Sequence, residues 1–135
     1  MKSQAAIEYM AVVVISLLLV TPFILLAQKS VKDMESKIDL IGAKETLDKI
    51  GDAAKIVYSQ GDPAKLTVDV KFPKNIKASN ITHQMMYFII ETNSMNNTIF
   101  KLFDFDINGT LPTDYGTHTI VLSNINNVVN ISYTS

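Results

Sequence analysis

Hydrophobic and polar positions divide this chain into three zones, each with its own period. From Tyr9 to Gln28 no side chain is charged, and Lys29 follows at once. About twenty helical residues at ~1.5 Å each cover ~30 Å, close to the hydrocarbon thickness of a bilayer. Glu8 stands at the very edge of this run. An ionisable group at membrane depth is expensive and marks a functional position. In the second zone, residues 28–60, Val31, Met34, Ile38 and Ile41 recur at spacings of three and four, and Leu47, Ile50, Ala54 and Val57 repeat the pattern. That is one apolar stripe on an amphipathic helix. From about Ala64 the period becomes two: Leu66, Val68, Val70 and Phe72 alternate with polar residues. Further strands are predicted over 83–92, 98–107, 117–122 and 128–133, with a short one over 76–78.

The breakers fit this division. Gly42 and Gly51 lie inside the amphipathic pattern. Each weakens a helix by about 1 kcal/mol, which predicts bending or tight packing rather than termination. Gly61-Asp62-Pro63 ends the helix, because Gly suits the position past the last turn and Pro cannot continue it. Nothing separates the first two zones except Pro22, where a kink or a locally melted turn is expected. The first 60 residues therefore read as one helix of ~85 Å if straight.

The predicted fold is α+β: a long N-terminal helix, hydrophobic then amphipathic, followed by a small antiparallel β-sheet or sandwich head of five or six strands. The helix stripe is expected to cover one face of the sheet through Leu47, Ile50, Ala54 and Val57. The run Met85-Met86-Tyr87-Phe88-Ile89-Ile90 reads as a central strand buried on both faces, with a subunit contact as the alternative.

Composition narrows the chemistry. The net charge of the 135 residues is −1, and Arg, Cys and Trp are absent. Without Arg or a basic patch, nucleic acid is not expected as a partner. Without Cys, disulfides, thiol nucleophiles and cysteine zinc sites are excluded. No Gly-x-Ser-x-Gly, phosphate loop or His-Glu-x-x-His occurs, so no catalysis and no cofactor are expected. The two histidines, His83 and His118, read as surface strand residues. Asp104, Asp106 and Asn108 match the first half of a calcium loop, D-x-D-x-N-G. Tyr115 stands where the closing Glu belongs and Pro112 interrupts the loop, so the competing reading is a strand over 102–107 ending in an Asn108-Gly109 turn. All ten asparagines follow Pro73, and Asn80, Asn96, Asn108 and Asn130 each begin an Asn-x-Ser/Thr sequon. Four sequons behind a membrane-length segment point to glycosylation of an exported head, against a plain Asn-rich coding bias.

The run is longer than the apolar core of an ordinary secretory signal and no Ala-x-Ala site follows it. Instead, the basic leader Met1-Lys2-Ser3 sits directly before Gln4-Ala5-Ala6-Ile7-Glu8-Tyr9-Met10. This stretch resembles the class III signal peptide of archaeal type IV-like pilins. The resemblance extends in character over residues 11–60 and rests on architecture alone in the head. Ser is common in that family where Ala6 stands, and Gly where Ser3 stands. The resemblance implies cleavage between Ser3 and Gln4 by a prepilin peptidase, with the apolar helix retained. The chain then divides into a leader (1–3), a transmembrane and filament-core helix (4–27), its amphipathic continuation (28–61) and a β-rich extracellular head (62–135).

Cleavage frees an α-amino group at Gln4, charged at neutral pH, and the amine of an adjacent subunit can pair with Glu8 in a filament core. Gln4, Glu8 and Pro22 are thus the expected assembly residues. The resemblance implies a structural subunit of a type IV-like pilus, used in surface adhesion, that waits in the cytoplasmic membrane before assembly. Its implied partners are identical subunits, the peptidase, and an assembly ATPase with its membrane platform. Two alternatives remain open: a minor or priming pilin, and a single-pass membrane-anchored binding domain in which Glu8 merely snorkels to the interface.

Overall fold

A computed structural model describes residues 2–134; Met1 and Ser135, the outer ends of the expected leader and head, lie outside them. The α+β order holds. A single helix, α1 (Lys2–Gln60), precedes seven strands: β1 (Ala64–Phe72), β2 (Ile76–Thr82), β3 (Met85–Thr92), β4 (Met95–Leu102), β5 (Ile107–Gly109), β6 (Gly116–Ile125) and β7 (Val128–Thr134). By its contacts the chain divides after Glu35 into two units, the second taking in the helix from Ser36 onward.

The helix stops where Gly61 adopts φ +82° and donates its N–H to the Tyr58 carbonyl at 3.2 Å. That left-handed residue suits glycine, which lacks a Cβ to clash. The last turn also receives help from afar. Asn124, on β6 and buried, directs Nδ2 to the carbonyls of Val57 and Tyr58 at 3.4 Å each. Carbonyls that no helical N–H can reach are met from the sheet instead.

The strands form two sheets, ordered β1-β6-β7-β5 and β2-β3-β4. This corrects the expected five or six antiparallel strands, since β5 pairs parallel with β7. The expected strand over 98–107 is two. β4 pairs with β3 as far as Leu102, then residues 103–106 cross to the other sheet, where β5 begins. Phe103, Phe105 and Ile107 stay buried while Asp104 and Asp106 stay exposed, so the alternation survives the crossing. Period two reports which side chains face the core; it carries no information about which strand supplies the hydrogen bonds. The Asn108-Gly109 turn is corrected too: both residues lie in β5, in register with Asn130 and Ile131. Gly109, at φ +131°, lets the backbone pass against Ile131, whose carbonyl a Cβ would strike.

The core joins three elements. Val70, Phe72, Ile120, Leu122, Val129 and Ile131 supply the inner face of the four-stranded sheet. Met86, Phe88 and Ile90 supply the other sheet, and the Phe72 and Phe88 rings meet at 5.7 Å. Leu47, Ile50, Ala54 and Val57 of α1 complete it, each at most 1% exposed, as the stripe predicts. Each fully buried Leu, Ile, Val or Phe contributes about 1.5–3 kcal/mol. Thr46 anchors the helix to β1 by donating to the Lys71 carbonyl at 2.9 Å.

Tight packing at Gly51 is also found. A Cβ there would lie 2.5 Å from Lys101 Cε. The Lys101 stem lies against this bare patch of helix, and its Nζ reaches Asp48 Oδ1 at 3.0 Å and Asp52 Oδ1 at 3.9 Å. At Gly42 a Cβ would approach Pro73 Cβ to 3.4 Å.

Two further expectations change. β3 is the central strand of its sheet, but only one of its faces is fully buried; Met85, Tyr87 and Ile89 are half-buried. His118 belongs to the core rather than the surface, edge-on to Phe72 at 5.4 Å with Nε2 3.0 Å from the Asp114 carbonyl.

Candidate membrane and assembly segment

Every described residue of α1 from Lys2 to Glu35 is exposed. This segment includes Val12, Ile15, Leu18, Leu19, Phe23 and Leu26, each more than half exposed. α1 is long and apolar enough to cross a membrane by length and composition, and nothing in its most apolar window is buried. An amphipathic helix shows an apolar stripe; here apolar residues surround the helix, as a lipid or multi-helix environment requires.

The segment also settles its own polar groups. Ser16 Oγ donates to the Val12 carbonyl and Thr21 Oγ1 to the Leu17 carbonyl, both at 2.7 Å. Each hydroxyl is therefore paired without water, which an apolar surrounding demands. These two bonds escaped the sequence reading; Ser and Thr isolated in an apolar helical run were the available signal.

Pro22 does not end the helix. α1 is continuous through it, which corrects the locally melted turn expected there. Proline's fixed φ lies in the helical range, and the helix loses one hydrogen bond while its neighbours keep theirs.

Ser3 and Gln4 lie in the first turn of α1, where N–H groups have no helical partner and the helix opens most easily. A peptidase acting between them would meet the least secured part of the segment. Gln4 and Glu8 are four residues apart and so share one helix face. A new amino terminus at Gln4 would add its charge to the positive end of the helix dipole, one turn from the Glu8 carboxylate.

In the second unit, Asn80, Asn96, Asn108 and Asn130 are all exposed, as are the hydroxyl residues of their sequons, Thr82, Thr98, Thr110 and Ser132. The strand register puts Asn80 and Asn96 on the outer face of the three-stranded sheet, and Asn108 beside Asn130 on the outer face of the other. The calcium-like residues are spread differently from a calcium loop. Asp106 Oδ1 accepts from Gln84 Nε2 at 3.4 Å, Asn108 Oδ1 accepts from the Gly109 N–H at 2.8 Å, and Asp104 is exposed. Among the described residues no three His, Cys, Asp or Glu side chains gather to hold a metal.

Compared with known proteins, the chain matches no family model, no curated protein and no solved structure.

Proposed function

We propose that this chain is the structural subunit of a type IV-like pilus, which polymerises through residues 4–27 and displays its β-rich unit at the cell surface, where the filament adheres. The observation that carries this reading is the wholly exposed apolar segment with one acid, Glu8, at its rim. A plain anchor accounts for the apolar length. It does not account for Gln4 at a leader junction, Glu8 one turn further, or a helix that runs unbroken into a folded unit.

In this reading the prepilin peptidase cuts between Ser3 and Gln4. The freed amine of one subunit pairs with Glu8 of its neighbour, and the pairing sets axial register because a buried unpaired charge costs several kcal/mol. Identical subunits then exchange lipid for one another, driven by the assembly ATPase at its membrane platform. The contact is heterologous and open-ended, so it propagates as a filament instead of closing.

The test compares native chain with Glu8→Gln in sheared cell-surface material. The native chain is expected to begin at Gln4 and to be abundant there. Glu8→Gln is expected in membranes, with filaments reduced at least tenfold. Normal filaments from the variant would end the Glu8 role. An uncut chain confined to membranes would favour the anchored binding domain.

A further inference from the structure

The outer face of the three-stranded sheet carries a row that crosses all three strands. Asn80 on β2 pairs with Tyr87 on β3, and Tyr87 pairs with Phe100 on β4. The next row is Thr82, Met85 and Leu102. Phe100 is 59% exposed and Leu102 64%, with Met85, Tyr87 and Ile89 half-buried beside them. A contiguous apolar patch on an otherwise polar surface marks a contact. The outer face of the other sheet differs, being lined mainly by Lys65, Thr67, Asp69, Thr119, Ser123 and Asn130.

The side chain of Asn80 is oriented toward this patch. Its Oδ1 accepts the Ile81 N–H at 2.8 Å, which leaves Nδ2 facing the Tyr87 hydroxyl at 3.4 Å. Nδ2 is the atom that an N-linked sugar would occupy. A sugar attached there would start at the hydroxyl end of the Tyr87 ring, with Phe100 one strand further along the same register row. Pyranose rings have an apolar C–H face that packs on aromatic faces while their hydroxyls remain in water. Such a sugar covers apolar surface without leaving a polar group unpaired.

We propose that Asn80 carries an N-linked glycan whose first sugars lie over Tyr87 and Phe100 and cover the apolar face of the three-stranded sheet. The proposal rests on export of the β-rich unit, as the pilus reading requires. It separates Asn80 from the other three sequons, whose asparagines face no aromatic residue across the register: Asn96 pairs with Glu91, Asn108 with Asn130, and Asn130 also with Ser123.

The experiment uses full-length protein from its native cells, with surface labelling of lysines to report export independently. Glycopeptide mass spectrometry reads each sequon. Hydroxyl-radical footprinting of the detergent-solubilised chain reads Met85, Tyr87 and Phe100. Asn80 is expected to carry sugar, and both Asn80→Gln and Thr82→Ala are expected to raise labelling of the three residues several-fold. The two variants remove the sequon from different strand positions, and both positions are exposed, so a shared effect reports the glycan and not misfolding. Bare Asn80 on a surface-labelled chain would overturn the proposal while leaving export intact. Bare Asn80 on a chain unreachable from outside would overturn both. A sugar-bearing Asn80 with unchanged footprints in the variants would assign the patch to another occupant, a second copy first among them, and would also overturn the proposal.

Discussion

The two parts of α1 invite comparison, because one continuous helix is covered in one part and bare in the other. Residues 2–35 are exposed throughout, whereas Leu47, Ile50, Ala54 and Val57 are essentially inaccessible. The difference does not come from hydrophobicity alone, since the exposed part is the more apolar. It comes from arrangement. Where apolar residues recur every three or four positions, the chain's own sheets can cover them and the charged remainder meets water. Where apolar residues surround the helix, the chain's own sheets leave them exposed, and in the proposed function lipid or other copies cover them. Val31, Met34, Ile38 and Ile41 test the limits of the stripe: they share its spacing yet all are more than half exposed. Periodicity identified the face that can be buried, but burial also needs a sheet within reach.

Matched substitutions in the two parts should break this comparison if it is wrong. The largest effect is expected at Leu47→Ala, which opens a cavity in the core and lowers stability by about 2–5 kcal/mol. The measurement is urea unfolding of the full chain in detergent, followed by near-ultraviolet dichroism of its tyrosines. An unchanged midpoint would mean that the stripe does not anchor the β-rich unit. Next comes Asn124→Ala, which removes the buried amide from the carbonyls of Val57 and Tyr58 and should cost about 1–3 kcal/mol in the same assay. Lys101→Met keeps most of the stem against Gly51 and removes only the charge. The Asp48 side chain is half exposed, so the loss should stay within about 1 kcal/mol and shrink with salt. The smallest effect belongs to Leu18→Ala, within about 0.5 kcal/mol on the unfolding of the β-rich unit, because Leu18 is 68% exposed. A loss there matching that of Leu47→Ala would erase the distinction between the two parts.

How much was legible in advance varies by element. The end of α1 at Gln60 followed from Gly61 and Pro63, whose constraints act on their own backbone. β1 and β7 were read nearly to their ends, since alternation and turn residues are local signals. The stretch 98–107 has the sequence pattern of a single strand because both sheets bury the same face of the chain there. The handover at residues 103–106 depends on His83, Gln84 and Val129, which are distant in sequence. β2 runs longer than the expected 76–78 because Ser79–Thr82 pair with Met85–Phe88 across the turn at residues 83–84. Gln4 and Glu8 stand out in the sequence as a motif whose role is the one proposed above; the structure adds the helix face that they share and the self-paired hydroxyls of Ser16 and Thr21.

The amino-acid order alone determined the long helix, its two characters, the place where it stops and the β-rich remainder, because period, charge and backbone constraint act over a few residues. Only the tertiary structure decided which strands became neighbours, that β5 runs parallel to β7, that His118 is interior, and that Asn80 lies in line with Tyr87 and Phe100. Those outcomes depend on hydrogen bonds and contacts between residues far apart in the chain, where local pattern leaves several pairings equally satisfied and only packing of the whole core selects one.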